Sequence, residues 1–166
     1  QVNPDILVLQ EVDYDHDLLA ITALRDAIAQ AGPDYPYIFA RRPNTGMHTG
    51  VDMDGDGRLG DARDAQGYGK FSGQGGMAVL SRFPIDISAA QDFSAMLWRD
   101  VPEADLPTDK GVLFPSAEAI AIQRLSTVGH WVVPVTLDEQ PIKLLVFHAT
   151  SPVFDGPEDR NGKRNH

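Results

Sequence analysis

Two side chains capable of acid–base or metal chemistry each follow an apolar run. Glu11 comes after residues 6–9 (ILVL) and Gln10, and His148 comes directly after residues 144–147 (LLVF). Such runs indicate strands buried on both faces, and α/β enzymes place much of their chemistry at the ends of strands. A carboxylate can bind a hard cation such as Mg²⁺, and an imidazole titrates near neutrality. The simpler alternatives are a Glu that caps a surface turn and an ordinary hydrogen-bonded His.

A second group of acidic side chains lies in one short segment, residues 52–61 (DMDGDGRLGD). Acids at positions 1, 3 and 5, followed by Gly, are typical of the start of an EF-hand-like Ca²⁺ loop. Arg63 stands at position 12, where a bidentate Glu is usual, so Asp61 or Asp64 would have to replace that ligand. We expect Ca²⁺ to fasten this loop; the alternative is an acidic, mobile loop that binds nothing tightly. The candidate ligands are Asp52, Asp54, Asp56 and Asp61.

A third group is basic and follows His148 in the segment 155–166. Asn161-Gly162 is a strong turn signal, so the basic residues on either side are expected to fold towards each other. Guanidinium groups bind phosphate through two parallel hydrogen bonds. We therefore predict that Arg160, Asn161 and Arg164 contact a substrate phosphate beside His148. The alternative is a solvated surface loop.

The segments between these groups carry clear secondary-structure signals. Apolar residues over 15–31 fit a 3.6 period that stops at Gly32-Pro33, which predicts a helix of about four turns. Pro134 predicts that its strand lies at a sheet edge or carries a bulge. Residues 42–73 form a long loop rich in Asp and Gly, and loops of such length are usually functional or disordered. Strands are predicted at 6–9, 35–41 and 77–80, and as a hairpin at 131–137 and 142–147.

Composition places the chain in the globular class. Its 166 residues, 42% hydrophobic and without a dividing linker, predict one domain over 1–166 with an α/β or α+β layered fold. No apolar run approaches the ~20 residues of a membrane span. The net charge of −10, from 14 basic and 24 acidic residues, disfavours a duplex nucleic acid as the partner. It suits small substrates, or substrates met through divalent cations.

Three sequence blocks, in order, resemble the endonuclease/exonuclease/phosphatase superfamily, which has the deoxyribonuclease I-like fold. NPDILVLQEVD (3–13) is similar to its metal-binding strand, GQGGMAVLSRFPI (73–85) to its glycine-rich central strand, and LLVFHATSPVFDGPEDRNGKRNH (144–166) to the strand with its catalytic His. The resemblance implies a four-layer α/β/β/α sandwich with two mixed sheets face to face. It also implies that Glu11 is catalytic and binds Mg²⁺ or Mn²⁺. His148 would pair with a carboxylate and protonate the leaving oxygen or stabilise the phosphorane.

The function implied by the resemblance is a metal-dependent phosphoesterase that hydrolyses a phosphodiester or phosphomonoester with metal-activated water. Two alternatives are a Ca²⁺-binding scaffold that has lost catalysis and a DNA endonuclease. Family members also carry an Asn on an N-terminal strand, a Gly-Asp-x-Asn element and a late Ser-Asp-His element, none of which lies in that setting here. We therefore expect a partial domain that is inactive alone and self-associates through exposed apolar surface. The Ca²⁺ loop favours an extracytoplasmic location, where Ca²⁺ is abundant.

Overall fold

The computed structural model describes residues 2–153 and 155–165. None of the helices in these ranges has the length and apolar character needed to cross a bilayer. The elements in chain order are β1 (Ile6–Val12), α1 (Leu19–Gln30), β2 (Tyr37–Ala40), β3 (Gly76–Ser81), β4 (Gln91–Asp92), a 3-10 turn (Trp98–Asp100), β5 (Thr108–Asp109), β6 (Val112–Leu113), α2 (Ala117–Ile122), β7 (His130–Leu137), β8 (Gln140–Phe147) and α3 (Arg160–Arg164).

The first sheet is built around β3, with the strand order β1-β3-β2. Every residue of β3 is buried, because one face packs against α1 and the other against the second sheet. The Asp15 carboxylate accepts hydrogen bonds from the backbone N–H groups of Ala20 (2.9 Å) and Leu19 (2.8 Å) at the start of α1. These bonds hold the pKa of Asp15 below its usual value. Asp15 therefore fixes where the helix begins over the sheet.

The second sheet has the order β4-β7-β8, with β7 and β8 joined as the predicted hairpin. Its turn residues Asp138 and Glu139 have φ values of 47° and 66°, as a two-residue type I′ turn requires. The two sheets pack face to face through a core that includes an edge-to-face contact between Phe39 and Trp131, with ring centroids 5.4 Å apart. The buried side chains of this core are Phe39, Met77, Val79, Val128, Trp131, Val133 and Val146.

The α/β class expected from the sequence is confirmed, and the described residues form a helix layer over two packed sheets. Every recorded strand pairing in residues 2–153 and 155–165 is antiparallel, so the mixed sheets implied by the resemblance are not seen there. On the outer face of the second sheet, Leu145 and Phe147 remain exposed. The four-layer arrangement stays a prediction. Because β1 and β2 are both antiparallel to β3, they run in the same direction and end at the same rim.

Two details differ from the sequence prediction. The helix predicted over 15–31 is shorter, at Leu19–Gln30, because Asp15 and the left-handed Leu18 lie before its first turn. The strand containing Pro134 is not at an edge and has a continuous register, since β7 lies between β4 and β8. Pro134 is tolerated because β4 pairs only with Trp131 and Val132, which precede Pro134 in β7.

The long loop 42–73 is folded onto the rest of the chain. It forms isolated bridges between Thr45 and Gly67 and between His48 and Ala65. Asn44 is fully buried, and its side chain donates to the carbonyl oxygens of Ser94 (2.7 Å) and Ser126 (2.6 Å). The side-chain oxygen Oδ1 of Asn44 accepts a hydrogen bond from the Arg124 guanidinium at 2.6 Å. This buried amide connects the loop to residues 94 and 124–126, which come later in the chain.

Replacement of Asn44 tests this connection. Asn44→Ala leaves two buried carbonyls and a guanidinium without partners, which we expect to lower the free energy of unfolding by about 3 kcal/mol. The melting temperature should fall by roughly 6–12 °C. The matched control is Asn165→Ala, which removes one hydrogen bond from an exposed Asn to Thr150 and should cost less than about 1 kcal/mol. Equal effects in thermal unfolding would contradict this account of the loop.

Candidate active site

Glu11 is the extra residue of a β-bulge at the end of β1. Gln10 pairs with Met77 and Val12 with Gly76, so Glu11 has no partner of its own on β3. Its φ angle is 58°, in the left-handed region that costs a non-glycine residue about 1–2 kcal/mol. The side chain is 72% exposed, because the bulge turns it out of the sheet towards the rim. Strained residues of this kind are concentrated at functional sites.

The glycine-rich segment before β3 packs closely against Glu11. A Cβ atom at Gly75 would lie 2.9 Å from Glu11 Oε2, and one at Gly73 would lie 2.4 Å from the Tyr14 carbonyl oxygen. The Gly75 N–H donates to Asp13 Oδ1 at 2.9 Å, and the Tyr14 N–H donates to the Gly73 carbonyl at 2.7 Å. Close backbone packing therefore accounts for these glycines. Asp13 was not singled out from the sequence, although it lies only two residues after Glu11.

The structure brings His148 next to Glu11, across the junction of the two sheets. His148 Nδ1 lies 3.4 Å from Glu11 Oε1, and the imidazole is largely enclosed, with 23% of its side chain exposed. Gln10 donates from Nε2 to the Phe147 carbonyl at 3.2 Å, which joins the ends of β1 and β8. The buried Nδ1 atom makes no hydrogen bond within the described residues. The pair therefore offers a carboxylate for a cation and an imidazole for proton transfer at one rim.

The basic residues of α3 have their contacts within the protein. The Arg164 guanidinium donates to the carbonyl oxygens of Leu125 (3.1 Å), Arg124 and Gln66, and it lies over the Trp98 ring. Arg160 donates to Gln123 Oε1 at 3.2 Å and lies over the Phe114 ring. The Asn161 N–H donates to Asp155 Oδ2. These contacts fix α3 on the segment before β7 and do not support the predicted phosphate-binding role, which stays a prediction.

Burial also changes the protonation equilibrium of both arginines. Desolvation lowers the pKa of Arg164 to about 9, the like charge of Arg160 adds to this effect, and Asp155 opposes it. Desolvation likewise lowers the pKa of Arg160, while the charges of Asp155, Asp54 and Glu158 act to raise it. A guanidinium that is expensive to bury and is held by backbone carbonyls is typical of a structural residue.

The acidic loop gathers its carboxylates into two overlapping groups. Within each group, one potential ligand atom from every residue lies within 4.8 Å of the others. Asp61 and Asp64, named from the sequence as substitutes for the missing Glu, both take part, and Asp64 is the most buried of the set at 2% exposure. The first group consists of Asp52, Asp54 and Asp64, and the second of Asp54, Asp56 and Asp61.

Asp52 and Asp54 have opposite pKa shifts. Burial raises the pKa of Asp54, and the charges of Asp56 and Asp61 add to this effect, against hydrogen bonds from the Asp56 N–H and the Arg63 side chain. Burial also acts to raise the pKa of Asp52, but hydrogen bonds from backbone N–H groups, led by Gly57 and Gly55, outweigh it and lower the value. A cation bound beside Asp54 would offset the repulsion from Asp56 and Asp61.

Comparison with known families agrees with the fold. The model of the Endonuclease/Exonuclease/phosphatase family matches residues 1–157, nearly the whole chain. The chain belongs to this family, whose members are hydrolases that act on phosphoester bonds. No curated protein and no solved structure matches the chain significantly.

The strain at Glu11 can be measured. Glu11→Gly removes the left-handed penalty, so we expect the free energy of unfolding to rise by about 0.5–1 kcal/mol without metal. Glu11→Gln keeps the strain and should leave stability unchanged. The opposite-sign control is Glu118→Gly in the first turn of α2, which should destabilise by about 1 kcal/mol. A Glu11→Gly variant less stable than Glu11→Gln in urea unfolding would show that the bulge is not strained.

Proposed function

We propose that this chain contributes the Glu11–His148 part of the active site of a metal-dependent phosphoesterase, which hydrolyses a phosphodiester or phosphomonoester. The observation that carries the proposal is the 3.4 Å approach of His148 Nδ1 to Glu11 Oε1 at the shared rim of both sheets. Membership of the family supports the reaction class. The strained backbone at Glu11 supports a functional reason for that residue, because a relaxed strand end would be more stable.

Glu11 is the proposed ligand for Mg²⁺ or Mn²⁺. Its carboxylate is exposed, and only Oε1 is approached by His148, which leaves Oε2 open to a hard cation among the described residues. Such a cation, when bound, neutralises charge on phosphate oxygens and lowers the pKa of a coordinated water. Mg²⁺ keeps several waters and needs only one or two protein carboxylates, which fits a single Glu on this rim.

His148 is the proposed general acid. The carboxylate beside Nδ1 favours the tautomer with hydrogen at Nδ1. The second ring nitrogen is then free to face the substrate and to give a proton to the leaving oxygen. The carbonyl of the preceding Phe147, held by Gln10, keeps this strand end in place.

The acidic charge of the chain favours small phosphate esters over DNA as the substrate class. A surface that neutralises a duplex backbone needs clustered Lys and Arg, whereas this chain has a net charge of −10. The basic residues of α3 are engaged with the protein itself. Plasmid DNA compared with a small phosphodiester separates the two substrate classes experimentally.

We also propose that residues 52–64 bind Ca²⁺ and thereby fasten the long loop to the domain. The clustered carboxylates support this role, as does the anchoring of the loop by the fully buried Met53. A Cβ atom at Gly55 would lie 3.2 Å from Phe114 and Pro115, so the loop is held close to that turn. A Ca²⁺-binding scaffold without catalysis is the competing function, and it predicts no metal at Glu11.

The Glu11 site is tested with Mn²⁺ as a paramagnetic probe. Mn²⁺ should broaden the imidazole signals of His148, and Glu11→Gln should abolish that broadening without changing the melting temperature. In the complete protein, Glu11→Gln should lower kcat by several orders of magnitude, since catalytic groups that act together fail together. Glu139→Gln, in the β7–β8 turn, is the matched control. Full activity of Glu11→Gln would refute the assignment.

Residues 1–166 alone are predicted to show no phosphoesterase activity above background with Mg²⁺ or Mn²⁺. The resemblance implies that catalysis also needs the N-terminal Asn, the Gly-Asp-x-Asn element and the late Ser-Asp-His element, acting together with Glu11 and His148. The exposed Leu145 and Phe147 should also favour self-association, which light scattering can measure. Turnover by a monomeric preparation of these residues would contradict both expectations.

The Ca²⁺ site is tested by thermal unfolding. Ca²⁺ at about 100 times its Kd should raise the free energy of unfolding by about 2.7 kcal/mol. This corresponds to a rise in melting temperature of roughly 5–11 °C. Asp54→Ala combined with Asp56→Ala should abolish the rise, and Asp34→Asn, at an exposed Asp outside the cluster, should not. No shift in the wild-type chain would favour a loop that binds nothing tightly.

The raised pKa of Asp54 predicts the direction in which its replacement changes stability, which can be measured with a chelator present. A carboxyl whose pKa is raised on folding destabilises the folded state once pH exceeds that folded pKa, and the penalty is absent below the unfolded value. Without Ca²⁺ at neutral pH, Asp54→Asn should therefore stabilise the chain. With Ca²⁺ the same change should destabilise it, because a ligand is lost.

A further inference from the structure

Arg41 is a half-buried arginine whose guanidinium has no acceptor. Its Nε atom is buried, and no hydrogen bond or ion pair of this side chain is recorded within residues 2–153 and 155–165. The neighbouring Arg42 donates to Ser72 Oγ at 2.9 and 2.6 Å, and Arg82 is paired with Asp5 at 2.9 Å. A buried donor without an acceptor costs about 1–3 kcal/mol. A chain with 24 acidic residues nonetheless places none of them beside Arg41.

Arg41 lies at the same rim of the first sheet as Glu11. Ala40 pairs with Ala78, which pairs with Leu9 on the other side of β3. Since β1 and β2 run in the same direction, Arg41 leaves β2 at the level at which Gln10 and Glu11 leave β1. Two strand spacings separate the backbones, roughly 10 Å. An anion bound at Arg41 would therefore lie next to a group held at Glu11 and would not occupy the same position.

The surroundings of Arg41 form a receptor for a small ligand. The guanidinium lies over the Phe39 ring, 5.3 Å from its centroid, which restrains the side chain. Arg41, Phe39 and Tyr14 line a pocket of ≈ 290 Å³, with His16 also on its wall. Tyr14 belongs to the segment that follows Glu11 and is joined to the glycine loop by its hydrogen bond to Gly73. The pocket is therefore linked to the Glu11 site through the segment that follows Glu11.

We propose that the Arg41 pocket binds a second phosphate group of the substrate, next to the phosphate ester served by Glu11 and His148. The inference rests on the proposed function and adds a substrate class, a small ester that carries an additional phosphate. A guanidinium matches two phosphate oxygens at once. Tyr14 and the exposed Ile87 provide an apolar wall for the carbon skeleton. The net charge of −10 makes one small dianion a better occupant than a polyanionic backbone.

The test uses inorganic phosphate as the probe, titrated into the metal-free chain and followed by NMR chemical shifts around residues 39–41. Arg41→Gln should weaken phosphate binding about tenfold or more, the loss of one charge-assisted bidentate contact. Arg42→Gln, the adjacent arginine paired with Ser72, should change it less than about twofold. Arg41→Lys keeps the charge, so it should fold like the wild type and bind phosphate severalfold more weakly.

The outcomes separate this inference from the proposed function. Glu11→Gln should remove the effect of Mn²⁺ on His148 but leave phosphate binding at Arg41 intact. Wild-type chain that shows no phosphate-dependent shifts, or Arg41→Gln that binds phosphate as tightly as wild type, would overturn the inference. In that case Arg41 serves only to cover the Phe39 ring. If the wild-type chain binds phosphate at Arg41 but Mn²⁺ does not broaden the His148 signals, the metal role of Glu11 alone is refuted.

Discussion

Burial of β3 on both faces is the constraint on which the rest of the structure depends. The strand Gly76–Ser81 is enclosed by α1 on one side and by the second sheet on the other, so the candidate functional side chains of this sheet come from its two neighbours. Both neighbours are antiparallel to it and therefore end at one rim. Glu11 and Arg41 reach that rim from β1 and β2. A core strand without candidate functional side chains thus determines where those of its neighbours lie.

The candidate site holds its side chains in position at a cost in folding stability. A bulge and a left-handed backbone at Glu11 turn one carboxylate away from the sheet, and glycines at positions 73 and 75 allow the next segment to approach it. His148 comes from the other sheet, with Nδ1 buried and facing that carboxylate. Neither arrangement stabilises the fold. Both are understandable if the rim must hold a charged group in a fixed direction, which a rigid pair of sheets can do.

In contrast to the candidate site, the long loop and α3 stabilise the fold, because their polar groups form hydrogen bonds within the protein. Asn44 is buried with three partners, and Arg164 covers backbone carbonyls of the segment before β7. The acidic segment 52–64 lies at the outer end of this network, close to Phe114 and in the electrostatic field of Arg160. A cation in that segment would reinforce a region that already packs well, in line with a stabilising rather than catalytic role.

The sequence by itself determined the buried strands, the helix, the hairpin and the family, because apolar period, turn residues and the motifs around Glu11 and His148 are local properties of the chain. It also indicated the acidic cluster, whose members are close in sequence. Only the tertiary structure decided the direction of side chains that depend on distant partners. Gln10 and Phe147, which join the two halves of the site, are 137 residues apart. The contacts of Arg164 with backbone carbonyls could not be derived from the sequence, and its phosphate-binding role stays a prediction. Arg41 carried no signal until β2 was aligned with β1. Hydrogen bonding and desolvation are set by what surrounds a group, and neither can be derived from its neighbours along the chain.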